Sequence, residues 1–324
     1  MTQFVKDLAL STVWAKARAA EAVAYGPEAE ARAILAALDG VGLNALELEY
    51  RLSAPVIERL LPEFKVRNWR VVSLHNYVPL PEGVSRGQAS GDYFNLAALD
   101  PDERAVAVEY TLRTMELASD LEATGVVLHL GGVVQARDKL VTAATAQAGG
   151  PTPEMQAHLE LRAQFAPRHV DAVSFSLERL APRAEALGVR LGLENRFHAF
   201  QIPSLDELGL LLERFEGAAL GLWYDCGHAW VQELAGLGPA SDWLELHGHS
   251  MVGCHLHDAR GSNDHIAPGT GEMDWPALTQ ALAGSPLKVL EVAYAEEAEL
   301  REGAALLEEL FAQACHGRAK EGVA

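Results

Sequence analysis

The sequence predicts an α/β fold, a single (β/α)8 barrel, and three observations carry that expectation. Eight short apolar runs alternate with longer helical stretches from one end of the chain to the other. Such alternation builds parallel strands joined by crossover helices. The chain has 324 residues, and one barrel of this kind fills about 250 residues or more without a second domain. Six successive runs close on a residue that can bind metal, and in such a barrel all strand C-termini surround one mouth.

The expected strands are 8–11, 45–49, 71–75, 125–130, 190–194, 220–225, 252–257 and 288–292. Helices are expected at 27–39, 54–69, 102–123, 155–187, 205–215 and 297–314. Their signals are local. Asp100-Pro101-Asp102-Glu103 places Pro early and acids in a first turn. Ser204-Leu205-Asp206-Glu207 reads as a capping box. Gly40 and Gly188 read as helix stops. The Gly/Pro-rich stretches 79–91 and 149–153 follow strands, so they read as loops of the active face rather than linkers. One domain, 1–316, is expected, with 317–324 as a frayed tail.

Composition narrows the class. Charge is 26 Lys+Arg against 45 Asp+Glu, or −19, and hydrophobic residues make up 49%. A disordered chain is excluded. A nucleic-acid partner is not expected, because such affinity comes from neutralising phosphates. Three cysteines, Cys226, Cys254 and Cys315, make no disulfide framework and no zinc spacing. Cys226 and Cys254 read as packing residues. No leader pattern and no run of membrane-span length is present, so a cytoplasmic location is the default expectation. The oligomeric state is open, a homo-oligomer included.

The strand ends carry the chemistry. His75, His129, Glu194, Asp225, His255 and Glu291 close six consecutive runs, with His228 three residues after Asp225 and His257 two after His255. Ionised carboxylates gathered at a barrel mouth are costly unless paired or metal-bound. A divalent metal is therefore expected there. Other residues have two readings each. Arg196 either holds an anionic substrate group by its planar fork or pairs with Asp225. His257 supports a ligand or touches substrate. Trp14 is a stacking wall or core. Gly131-Gly132 cradles a phosphate or forms a plain turn. Lys16 and Arg18 read as solvated.

The flanking motifs, Leu193-Glu194-Asn195, Tyr224-Asp225-Cys226-Gly227-His228, His255-Leu256-His257-Asp258 and Asn263-Asp264-His265 through Gly271, resemble the xylose isomerase-like TIM-barrel superfamily. The resemblance implies a metal held by Glu194, Asp225, His255 and Glu291. From the endonuclease IV branch it implies further metals on His75, His129, His228 and His265. Asn263 stands where that branch has Asp, a neutral amide for a charged ligand. Three carboxylates and one imidazole suit Mn²⁺ or Mg²⁺, whereas added histidines suit Zn²⁺; Co²⁺ is also admissible.

The implied activity is isomerisation or epimerisation of a sugar, sugar phosphate or related hydroxy-ketone, a small-molecule substrate. Glu194 and Glu291 are the expected acid/base pair, and His228 and Arg260 the expected substrate-orienting residues. The alternatives are a dehydratase using the same enolate chemistry, a metal-dependent phosphodiesterase on abasic DNA, and a barrel reused for ligand binding.

Overall fold

A computed structural model describes the chain from residue 8 to residue 321, with side chains to residue 316. Its strands are β1 (Leu8–Ser11), β2 (Ala45–Leu48), β3 (Arg70–His75), β4 (Gly125–Leu128), β5 (Arg190–Glu194), β6 (Leu220–Asp225), β7 (Gly253–Leu256), β8 (Asp258–Arg260), β9 (Asn263–Ile266) and β10 (Lys288–Leu290). Eight of them close a barrel in the order β1-β10-β7-β6-β5-β4-β3-β2, every pair parallel. The remaining two, β8 and β9, form an antiparallel hairpin. The helices are α1 (Val13–Arg18), α2 (Pro27–Val41), α3 (Ala54–Arg67), α4 (Pro101–Asp120), α5 (Val141–Gln147), α6 (Pro153–Leu187), α7 (Leu205–Arg214), α8 (Cys226–Leu234), α9 (Asp242–His247), α10 (Trp275–Leu282) and α11 (Glu297–Glu321).

The barrel interior is filled around one indole. Trp223 packs with Ala9, Ala45, Val127, Val252 and Val289, a cluster distinct from the larger core that includes strand and helix residues. Neighbouring strands make room by carrying no side chain. A Cβ on Gly192 would meet Trp223 at 2.7 Å, and one on Gly253 at 2.5 Å. The ring lies 5.0 Å from that of His255, so it floors the mouth. Cys226 and Cys254 are buried in the larger core.

Several local expectations meet the structure directly. Asp100 caps α4, its Oδ1 accepting the Asp102 and Glu103 N–H groups at 2.8 and 3.4 Å. Ser204 and Glu207 close a capping box on α7, and Gly188 ends α6 in the left-handed region. Others differ. Gly40 does not stop its helix: α2 continues to Val41 and Gly42, at φ 85, ends it. Gly40 serves contact instead, since a Cβ there would meet the Glu297 carboxylate at 2.8 Å. The last helix runs to Glu321, past the expected boundary at 316, while 322–324 lie outside the described residues, as do 1–7. Lys16 is not solvated: it is buried on Glu30 at 2.8 Å.

Glu207 has a second task. Arg162 on α6, 8% exposed, donates to both its oxygens at 2.8 and 2.7 Å and also to the Gln201 carbonyl. Ser204→Ala removes one cap and is expected to cost about 1 kcal/mol. Glu207→Ala strands a buried guanidinium and is expected to cost about 3–5 kcal/mol. Denaturant unfolding of both variants checks the ranking; equal costs contradict it.

Candidate metal centre and active site

His255 on β7 is the hub. Its Nδ1 lies 2.8 Å from Glu194 Oε1, 3.1 Å from Glu291 Oε2 and 3.7 Å from Asp225 Oδ2. Its Nε2 lies 3.2 Å from Glu47 on β2, and Ser73 donates to the same Glu47 carboxylate at 2.8 Å. Glu47, Glu194, Asp225 and His255 are each at most 1% exposed. Burial works against every charge here, and proximity works for opposite ones. His255 ends well above its ordinary value because Glu291, Glu47, Asp225 and Glu194 outweigh its burial. Glu194 is held well below the carboxylate range, His129 and Arg196 overcoming burial. Glu291 has the poorest compensation: burial, with Glu194, Glu47 and Asp225 around it, pushes it up to about 8.

His75, His228 and His265 each have one ring nitrogen on a backbone carbonyl. His75 Nδ1 sits 3.0 Å from the Asn76 carbonyl, His228 Nδ1 3.0 Å from that of Asn195, and His265 Nδ1 2.9 Å from that of Glu291. A carbonyl only accepts, so each Nδ1 carries a hydrogen, and in a neutral ring the lone pair is on Nε2. Burial and the neighbouring His129 push His75 down to about 3, so its ring is neutral. His129 presents Nε2 to Glu194 at 2.7 Å and Nδ1 to Asp92 at 3.2 Å. The backbone N–H of His265 donates to His257 Nδ1 at 2.9 Å, which puts the His257 hydrogen on Nε2, facing Asp225 at 3.0 Å. His257 thus supports a ligand rather than being one of the free nitrogens.

Donor atoms gather in overlapping groups, within 4.8 Å of one another in each: His75, His129 and Glu194; Glu194, Asp225, His255 and Glu291; His228, Asp264 and His265; and His257, His265 and Glu291. The neutral imidazoles of His75 and His265, beside the ionised carboxylates of Glu194 and Asp225, fit divalent ions. The carboxylate that Asn263 lacks comes one residue later. Asp264 Oδ2 lies 3.9 Å from His228 Nε2 and 3.7 Å from His265 Nε2. His265 has φ 57, a left-handed turn in the hairpin that brings its ring back over the mouth.

Sequence reasoning missed Glu47, Asp92 and Asp264. Glu47 lies inside the expected strand 45–49 rather than at its close, so a search for closing residues passes over it. Asp92 comes from the 76–100 loop, where no periodicity marks it. Its Oδ2 is 3.2 Å from His129 Nδ1, 3.1 Å from Arg196 Nη2 and 2.9 Å from Gln201 Nε2. The loop passes so close that a Cβ on Gly91 would meet His129 Nδ1 at 2.5 Å and His75 Cε1 at 2.8 Å. Arg260 is not where a substrate-orienting role needs it: it is exposed on β8, bonded to the Thr270 carbonyl and absent from the cavity wall. Arg196 pairs with Glu194 and Asp92 rather than Asp225, and faces the cavity. Asp258 accepts from Ala259, Gly269, Met273 and Trp275, so it organises the loop rather than lining the mouth. Trp14 is core, its Nε1 donating to Ala295 O, and Arg18 covers its ring.

The cavity above these groups measures about 750 Å3 and is walled by Glu194, Glu291, His75, His129, His228 and His265 together with loop residues.

A family model described as a xylose isomerase-like TIM barrel matches residues 35–310. Among solved structures, that of an L-ribulose 3-epimerase is 18% identical, with 98% of each chain covered and a TM-score of 0.67. A D-tagatose 3-epimerase-like protein is 17% identical, covering 98% of this chain and 100% of its own, with a TM-score of 0.62. The TTHB071 protein from Thermus thermophilus, soaked with ZnCl2, is 23% identical over 94% of this chain and 97% of its own, with a TM-score of 0.56. The uncharacterized protein y4fM of Sinorhizobium fredii is 40% identical over 76 residues, a match spanning 23% of the length of each chain.

Metal entry is expected to displace the Glu291 proton. Below about 8 that carboxyl is protonated and must lose its hydrogen to coordinate; above it, the hydrogen is already gone. Calorimetric titration with Mn²⁺ in buffers of different ionisation enthalpy should therefore show more proton release at about pH 7 than at about pH 9. Glu291→Gln should remove that difference. Equal release at both pH values contradicts the assignment.

Proposed function

The chain belongs to the xylose isomerase-like TIM-barrel family, and we propose that it is a divalent-metal-dependent isomerase or epimerase acting beside the carbonyl of a sugar, sugar phosphate or related hydroxy-ketone. The observation that carries this reading is a pair of carboxylates with opposite environments on one imidazole. Glu194 is held ionised by His129 and Arg196, while Glu291 is pushed towards the protonated form. Titratable groups whose environments drive them apart make an acid and a base. The sugar 3-epimerases among its structural neighbours agree with such chemistry.

Glu194, Asp225, His255 and Glu291 are the residues that would hold the metal, an oxygen-rich set suited to Mn²⁺ or Mg²⁺. A bound divalent ion supplies polarisation of the carbonyl and of a neighbouring hydroxyl oxygen. Glu194 removes the proton from the carbon next to the carbonyl. In an epimerisation Glu291, its proton affinity raised, takes up a solvent proton and passes it to the other face of that carbon while Glu194 loses its own to solvent; in an isomerisation Glu194 returns the proton it took to the neighbouring carbon. Asp225 anchors the centre: the His228 N–H and His257 Nε2 fix its oxygens at 2.7 and 3.0 Å. His228 Nε2, at the cavity wall, orients a substrate oxygen, and buried Arg196 takes the cationic part expected of Arg260.

A second reading rests on the flanking donor groups. His75 and His129 on one side, and His228, Asp264 and His265 on the other, could hold further ions suited to Zn²⁺ and to phosphodiester hydrolysis. The two are separable. With Mn²⁺, a ketose in deuterated water is expected to gain deuterium beside its carbonyl. Glu194→Gln and Glu291→Gln should each slow this about 10²–10⁴-fold. Metal-dependent incision of an abasic duplex without any deuterium exchange would replace the first reading by the second.

A further inference from the structure

The cavity has a wall that proton transfer does not use. After β4 the chain runs through Gly131 and Gly132 to Val134, Arg137 and Lys139, all on the lining, and His198 faces the same space from the loop after β5. Arg137 and Lys139 are exposed, and their side chains have no hydrogen bond or ion pair among the described residues. The acid between them does not neutralise them. Asp138 turns away, its Oδ1 accepting the Leu140 and Val141 N–H groups at 2.8 and 3.3 Å where α5 begins. His198 is stacked on Phe200 with 5.5 Å between ring centres, and its buried Nδ1 has no partner. Burial, with the nearby charges of Arg196, His228 and Lys139, pushes that ring down to about 4 and keeps it neutral.

In a chain of net charge −19, two free cations and an unpartnered imidazole on one cavity wall are a local reversal of sign. A neutral sugar gains only weaker hydrogen bonds to its hydroxyls from them. An oxyanion does: it accepts charge-assisted hydrogen bonds from Arg and Lys, and its approach is favoured against the repulsive field of the rest of the surface. We propose that Arg137, Lys139 and His198 form a subsite for an anionic group, a phosphate or a carboxylate, on a substrate whose other end reaches the carboxylate–histidine centre. The substrate class is then an acidic hydroxy-ketone, a sugar phosphate or a keto-sugar acid. The word substrate rests on the isomerase reading; the anion subsite does not. Phe197, Phe200 and Val134 line the same cavity and offer apolar contact to a carbon chain joining the two ends.

The test compares fructose, fructose 6-phosphate and fructuronate on the metal-loaded full chain, with binding read by calorimetry and turnover by deuterium exchange. Binding of at least one anion is expected to be about tenfold or more tighter than that of fructose, weakening between about 50 and 500 mM salt. Arg137→Gln/Lys139→Gln should lower the ratio of anion to fructose affinity about tenfold and flatten its salt dependence. A thermal midpoint matching the parent's confirms that this exposed double variant is folded. Phosphate and carboxylate sources are told apart by which anion gains. No preference for either anion, or a preference that the double variant keeps, overturns the subsite. Preference lost in the variant with no exchange on any of the three supports the subsite while sinking the isomerase reading.

Discussion

Four carboxylates, from Glu47, Glu194, Asp225 and Glu291, converge on one imidazole at the bottom of the mouth, all of them buried. Burying one ionised carboxylate without a partner is costly, and burying four together is tolerable only with compensation built in beforehand. The surrounding structure supplies it. Ser73 and His255 serve Glu47, His129 and Arg196 serve Glu194, and His257 with the His228 N–H serves Asp225. Glu291 alone is left short of positive charge, which is why its proton affinity rises. The amino acids leave that balance incomplete, and the clustered donor atoms make the centre a candidate for a divalent cation.

That balance depends on placement, and placement depends on the barrel. Strands β5, β6 and β7 are in register, so Glu194 pairs with Trp223 and Asp225 with His255. The Trp223 indole fills the space beneath, and glycines on adjoining strands admit it. Asn195 ties two strand ends together, its side chain exchanging hydrogen bonds with the Asp225 backbone at 2.9 and 2.7 Å. His75, His228 and His265 are oriented by backbone carbonyls, which cannot rotate as a side chain can. A rigid floor and fixed rings keep the geometry of the candidate metal site.

Loops finish the site and set its reach. Asp92 connects the 76–100 loop to His129, Arg196 and Gln201, so the position of that loop and the orientation of a candidate ligand are linked. The same loop is fastened again six residues earlier, where Arg86 pairs with Glu30 of α2, itself bonded to buried Lys16. Overall acidity and local basicity thus coexist. The acids gather at the centre and over the surface, and cations appear where one loop borders the cavity.

The sequence alone determined the barrel and which residues gather at its mouth. Alternation of short apolar runs with helices is a local property, and each of Glu194, Asp225, His255 and Glu291 lies at or near the end of its strand, so they were legible as residues that meet once the barrel closes. Caps at Asp100 and Ser204 are equally local. Tertiary structure decided what depends on distance across the chain. Glu47 becomes part of the centre only because β2 lies across the barrel from β7. Asp92 joins it from a loop without periodicity. A left-handed turn at His265 selects Asp264 over Asn263. Arg260 and Lys16 show the same limit, since a cation's sequence neighbours do not say which acid it will meet. Gly40 looked like a stop because glycine permits one, yet it is needed for the approach of Glu297. Periodicity and capping act between residues a few positions apart and are written in order along the chain; ion pairs and loop contacts join residues far apart, and only the folded backbone fixes which ones meet.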